Sequence, residues 1–374
     1  MRLSRRGEFT LLLAATLTIM VGAALAPGLN AIGPALGMGD YAPLLITLPA
    51  LGAIMFAPLF GKLIDAFGAR PVLLASLLGY CLLGVGGALL HGLVWITLDR
   101  IVLGGFTAGV MAAGTAEISR WYSGKARLAM IAKQGMAIEL GGVIFLFIGG
   151  LLSELHWQAP FALYALGLIC ALLVPLSVPS EGTRIPAPEA DTAQATASMR
   201  PVMLSTFAAM GLFFSMVVTL PELMSQRGYG EAETGYLLSF ISLVAVIAAM
   251  LMPKMVSRTS ERSTLGIAFV CFAAAHGLFS TVTGTVLLAS AAICAGVGFG
   301  FSIPLLNHAT VEISNDRNRG RNLSLFAMAV FGGQFVTSAL TLLPSQVTTL
   351  IACALLSLLA ALILALKAAR PVCA

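Results

Sequence analysis

Residues 61 to 73 read Gly61-Lys62-Leu63-Ile64-Asp65-Ala66-Phe67-Gly68-Ala69-Arg70-Pro71-Val72-Leu73. Charge is concentrated in this short stretch, and its glycines permit a tight turn and a close approach of backbones. On either side charge disappears: no Asp, Glu, Lys or Arg lies between Asp40 and Lys62, or between Arg70 and Asp99. A helix needs about 20 apolar residues to cross the hydrocarbon core of a bilayer, so the stretch reads as a turn between two membrane-spanning helices. Similar gaps run from Glu8 to Asp40, Glu154 to Glu181, Arg200 to Glu222 and Glu233 to Lys254. Two longer gaps, Arg262 to Glu312 and Arg321 to Lys367, each have room for a pair of spans, hinged at Thr283-Gly284 and Pro344-Ser345. With spans near 93–117 and 128–152, twelve are expected.

Composition agrees. Of 374 residues 59% are hydrophobic and 10% charged, and the mean hydropathy is +0.97. Globular chains are about a quarter charged, so a chain this apolar has lipid as its solvent. The six cysteines (Cys81, Cys170, Cys271, Cys294, Cys353, Cys373) are scattered and form no CxxC pair. They read as small packing residues, with no metal and no disulfide expected. Arg2, Arg5 and Arg6 ahead of an apolar run ending Ala24-Leu25-Ala26 imitate a cleavable signal peptide. Retention is expected, because cleavage would leave an odd number of spans.

Alternating the spans places the basic residues. All but two of the 21 Lys and Arg fall on one side, at Arg2, Arg5, Arg6, Lys62, Arg70, Arg120, Lys125, Arg127, Lys133, Arg184, Arg200, Lys254, Arg258, Arg262, Arg317, Arg319, Arg321, Lys367 and Arg370. Arg227 falls on the other side and Arg100 lies within a span. Cytoplasmic loops carry the basic excess, so both termini are expected in the cytoplasm of a multi-pass inner (plasma) membrane protein. The net charge of +5 is thereby an orientation signal with anionic lipid headgroups nearby, and no nucleic acid is expected as a partner.

The one long polar stretch, 178–200, holds Pro179, Pro186 and Pro188 and reads as a cytoplasmic linker. It separates residues 1–177 from 201–374. The halves echo each other, since Glu117-Ile118-Ser119 before a basic loop recurs as Glu312-Ile313-Ser314 before Arg317, Arg319 and Arg321. Parallel repeats of this kind place a substrate site between two bundles near the membrane midplane. The expected fold is all-α, with twelve transmembrane helices in two six-helix bundles.

The 61–73 turn resembles the signature of the major facilitator superfamily, roughly GxLxDRxGRRxxL, which that family carries between its second and third helices. The resemblance implies the major facilitator fold and a gating latch of Gly61, Asp65, Gly68 and Arg70. Asp65 would hold the bundles together on the cytoplasmic side, against the start of helix eleven near Arg321 and Asn322. Ala66 replaces the family's first arginine, and the matching turn of the second half, Pro253 to Arg262, lacks the glycines. Asp99-Arg100-Ile101-Val102-Leu103-Gly104 is similar to the family's helix-four pattern of arginine followed by glycine, with Leu103 and Phe106 in place of its glutamine and second glycine. Gly149-Gly150 followed by Trp157 resembles the tail of the helix-five motif of proton antiporters, although Phe145-Leu146 stands where that motif has a GP pair.

Ionisable groups inside spans carry the functional reading. A guanidinium about seven residues into a span costs on the order of 3 kcal/mol or more if unpaired. Arg100 therefore binds an anion or couples protons, or else pairs with Asp99 or snorkels to the outer interface. Glu139, near the middle of span five, can take up and release a proton in contact with whatever enters the cavity, or it can serve as a neutral hydrogen-bonding group. Arg100 and Glu139 differ in depth by about 10 Å at 1.5 Å per residue. Asn30 after Pro27, and His276 and His308 in spans nine and ten, are further candidates for the cavity or a proton relay, with packing as the alternative. Glu222 reads as an outer-end residue in contact with solvent. Gly104, Gly105, Gly109 and Gly114 read as helix-packing positions.

No GxxxxGK[ST] loop is completed at Gly61-Lys62 or Gly124-Lys125, so ATP does not drive the protein. Dispersed acids and histidines do not make an enzyme, and no cofactor is expected. The expectation is a monomeric secondary transporter exporting a small organic compound in exchange for protons by alternating access. Proton-coupled uptake, facilitated diffusion of a metabolite and a non-transporting sensor on the same fold stay open.

Overall fold

The computed structural model describes residues 3–122, 124–179, 198–281, 284–314 and 319–368. Most of the linker, with Arg184, lies outside the described residues, as do Arg2, Thr283, Arg317, Arg370 and Cys373 and the side chains of Lys125, Arg319 and Lys367.

Among the described residues there is no strand, and 12 helices are long and apolar enough to cross a membrane. They are Arg5–Ala35, Leu44–Phe67, Ala69–Leu89, Leu93–Trp121, Ala129–Leu155 and Ala159–Ser177, then Arg200–Gln226, Glu231–Arg258, Glu261–Thr281, Thr285–Glu312, Arg321–Ala339 and Gln346–Leu366. We number these spans one to twelve. Helices dominate because each backbone polar group must find its partner inside its own segment once water is excluded. Span one is not continuous, as its α-helix ends at Ala23 and passes through a 3-10 turn at Ala26–Gly28, containing Pro27, before resuming at Leu29. Span four runs on to Trp121, past the expected end at 117, because Glu117 is enclosed rather than solvated. Its carboxylate lies 3.4 Å from Arg120 Nη1 and accepts from Trp121 Nε1 at 3.2 Å.

By internal contact the chain divides into two compact units. One comprises Met1–Ala187 with Tyr229–Ser239, the other Pro188–Gly228 with Phe240–Ala374. The opening turns of span eight thus pack with the first unit. There Ser239 Oγ donates to the Val143 carbonyl at 2.8 Å, and the Ala232 N–H donates to Glu154 Oε2 at 3.0 Å.

In the first unit, spans two and four cross with little between their backbones. A Cβ added at Gly52 would overlap the Ile101 carbonyl, and one at Gly104 would overlap that of Pro49. Without a hydrophobic drive between helices in lipid, such close approach supplies the dispersion contact that holds them. Gly105 and Gly109 likewise lie against Phe56 and Phe60, as their helical spacing led us to expect. The second unit packs around aromatic rings, with Phe213 and Phe299 centred 4.0 Å apart. Buried His276 bridges Ser215 Oγ at 2.8 Å and the Phe272 carbonyl at 2.7 Å.

Gly104→Val is expected to lower stability by about 2 kcal/mol or more through overpacking, read as a falling thermal-unfolding midpoint in mild detergent. Gly61→Ala, whose Cβ meets nothing within 4 Å, is expected to leave that midpoint unchanged or slightly raised.

Candidate functional site

Arg100 is fully enclosed, at 0% exposure. Its Nη2 lies 2.6 Å from Asp99 Oδ2, and its Nε donates to the same oxygen at 2.8 Å. Longer contacts reach the Leu83 carbonyl in span three at 3.4 Å and the Tyr164 hydroxyl in span six at 3.5 Å. The rings of Phe161 and Tyr164 each face the guanidinium at 5.7 Å, the geometry of a cation–π contact. Gly87 makes room for the arginine head, since a Cβ there would overlap Nη2.

The cluster reaches span one as well. Where that helix breaks, the Leu25 N–H turns to the Gly22 carbonyl, and the Val21 carbonyl accepts instead from Tyr164 Oη at 2.7 Å. Tyr80 Oη donates to Leu17 O at 2.8 Å, and the two tyrosine rings are 5.5 Å apart. Arg100 is therefore held within its own unit, tying spans one, three, four and six. Of the alternatives read from the sequence, the geometry is that of the pair with Asp99. Neither tyrosine was singled out from the sequence, and only the need of a buried Asp-Arg dipeptide for further donors and acceptors could have pointed to them.

Glu139 has different surroundings. It is half-buried in the interior of span five, and no hydrogen bond or ion pair joins it to another described residue, Arg100 included. One and a half turns nearer the start of that span, buried Gln134 exchanges hydrogen bonds with Thr115 of span four at 3.2 and 3.3 Å. This polar link was not read from the sequence. Asn30 opens the resumed helix of span one, is half-buried and is partnered.

The four residues expected to form a latch lie along the end of span two and the turn into span three. Gly68 has φ +88° and closes span two by donating its N–H to the Ile64 carbonyl at 2.8 Å, a backbone region that only glycine enters without strain. Asp65 stands exposed in the last turn of span two, with Gly61 one turn before it. Arg70 reaches the Pro175 carbonyl of span six at 3.4 Å, while its buried Nε has no hydrogen bond among the described residues.

The histidines stay apart. His276 is buried inside the second unit, whereas His308 lies exposed in the last turns of span ten, 3.8 Å from Glu261 and from Glu312. Glu222 is half-buried and accepts from Gln226 Nε2 at 2.8 Å near the end of span seven.

The sequence profile described as Major Facilitator Superfamily matches residues 11–338. The chain belongs to this superfamily. Among curated relatives, it is 24% identical over 303 residues to the class D tetracycline resistance protein of Salmonella ordonez, covering 77% of this chain and 75% of the relative. To the class B tetracycline resistance protein of Escherichia coli it is 25% identical over 287 residues, covering 72% and 70%. The crystal structure of a D-xylose-proton symporter superposes with a TM-score of 0.75 over 96% of this chain and 97% of the symporter, at 16% identity. That likeness fixes the fold. This superfamily member is a multi-pass membrane protein of a transporter family.

Breaking one partner of a buried ion pair costs about 3–5 kcal/mol, because the other charge is left uncompensated. Asp99→Asn and Arg100→Gln are each expected to cause a loss of that order in the detergent unfolding midpoint. The double variant D99N/R100Q should recover part of the loss, so a double variant at least as unstable as the sum of the singles would contradict the pairing.

Proposed function

We propose that this protein exports a small organic compound across the inner membrane in exchange for protons, with Glu139 as the proton-coupling group. The observation that carries the reading is the contrast between the two central charges. Arg100 is committed to Asp99 and its tyrosine cage, whereas Glu139 sits mid-span with no partner among the described residues. A lone carboxyl at that depth is expensive to keep charged, and such groups mark proton and substrate pathways. Resemblance to tetracycline resistance proteins over about three quarters of the chain supports export and makes tetracyclines the first compounds to try.

In this reading residues 1–177 and 201–374 are the two six-helix halves, joined by 178–200. They expose the site to each side of the membrane in turn. Asp65 and Arg70 form the cytoplasmic latch around the Gly68 turn, with Gly61 one helical turn before Asp65. The basic connections orient both termini to the cytoplasm, and the transporter works as a monomer. Asn30 contributes to the cavity lining. The burial of His276 and the exposed acid-flanked setting of His308 support roles in packing and at the interface.

The test is uptake into proteoliposomes under an imposed proton gradient, using a panel that starts with tetracyclines, for wild type beside Glu139→Gln. Wild type is expected to concentrate a substrate, and the variant only to equilibrate it. Equal concentration by both would remove Glu139 from coupling.

A further inference from the structure

Spans eight and ten form a groove of about 270 Å³ at the end of span eight, lined by Leu251, Lys254, Met255, Arg258 and Phe301. The four span-eight residues are spaced i, i+3, i+4 and i+7, so they share one helix face. Leu251, Lys254 and Arg258 are exposed on it. Among the described residues no carboxylate lines the groove, and the nearest acid in sequence, Glu261, lies 3.8 Å from His308.

The same face continues away from the groove as Leu251, Ile247, Leu243 and Phe240, all exposed and all apolar. From Phe240 to Leu251 this stripe covers about 16 Å at 1.5 Å per residue, close to half of a hydrocarbon core roughly 30 Å thick. Span eight therefore presents one leaflet's depth of apolar surface, ending in two cations in the last helical turns. An amphiphile has that shape and order of chemistry, with chains along the stripe and an anionic head at Lys254 and Arg258. Phe301 and Met255 wall the groove where head meets chain. The helix C-terminus, whose carbonyl dipoles carry partial negative charge, does not itself attract an anion, so the two side chains supply the attraction.

We propose that this groove is a binding site for an anionic phospholipid of the leaflet on the basic side, its phosphate held between Lys254 and Arg258. The site lies on an exposed face of the second unit, does not include Glu139, and does not depend on the direction or coupling of transport.

The test is thermal unfolding of the full chain in mild detergent, titrated with short-chain phosphatidylglycerol, with phosphatidylcholine of the same chain length, and with inorganic phosphate. A lipid that binds only the folded state raises the midpoint with concentration. Phosphatidylglycerol is expected to raise it more than phosphatidylcholine, and inorganic phosphate not to raise it. K254Q/R258Q should weaken the apparent affinity for phosphatidylglycerol by about tenfold to thirtyfold, the range two cations near an anionic surface would give. The charge-keeping variant K254R/R258K should respond like wild type, as should K62Q/R200Q, which loses the same charge elsewhere. Equal effects of the two lipids, an equal effect of inorganic phosphate, or an undiminished response in K254Q/R258Q would each overturn the assignment. If K254Q/R258Q does not fold, loss of the phosphatidylglycerol preference in R258Q alone supports the site, and its retention in that variant overturns it.

Discussion

Exclusion of water from a stack of helices makes each enclosed charge find its partner where it lies, and the Asp99–Arg100 pair shows how much structure that requirement recruits. One guanidinium draws on a carboxylate of its own helix, a carbonyl of span three, a hydroxyl of span six and two aromatic faces. Tyr164, drawn in by Arg100, in turn satisfies the Val21 carbonyl that the break in span one releases. The proline-broken helix and the buried cation are thus parts of one solution. Tight crossings such as Gly52 on Ile101 and Gly104 on Pro49 bring the helices close enough for these polar contacts to form.

Against that background Glu139, with no hydrogen bond or ion pair among the described residues, is chemically distinct. A group with no fixed partner can exchange a proton or meet a ligand without first breaking a structural bond. Arg100 cannot leave its cage without exposing Asp99 and releasing Tyr164. The same economy separates the histidines: His276 is spent on Ser215 and the Phe272 carbonyl, while His308 rests among acids at a helix end.

What could be read from the sequence was whatever depends on local order. Gaps between charges located the spans because a helix in lipid tolerates few charges, and the glycine turn at 68 was legible because its backbone conformation admits no other residue without strain. The Arg100 alternatives could be named but not resolved, since the pair with Asp99 is enclosed by Tyr164, which is 64 residues away, and tyrosine has no motif for such service. Gln134 and Thr115 look like ordinary polar residues until spans four and five are laid together. Span four was expected to end near residue 117, but it runs on because Arg120 and Trp121 enclose Glu117 there. The amphiphilic face of span eight was present as a pattern, but its groove needs Phe301 from another helix.

The sign of proton movement tests the central claim most directly. Proteoliposomes of the wild-type protein would be loaded with a compound it moves and with a trapped pH-sensitive dye, then diluted into compound-free buffer without any imposed proton gradient. Export in exchange for protons predicts that the lumen acidifies as the compound leaves. A lumen that turns alkaline, or one whose pH stays constant while the compound escapes, would contradict the account in favour of symport or of facilitated diffusion.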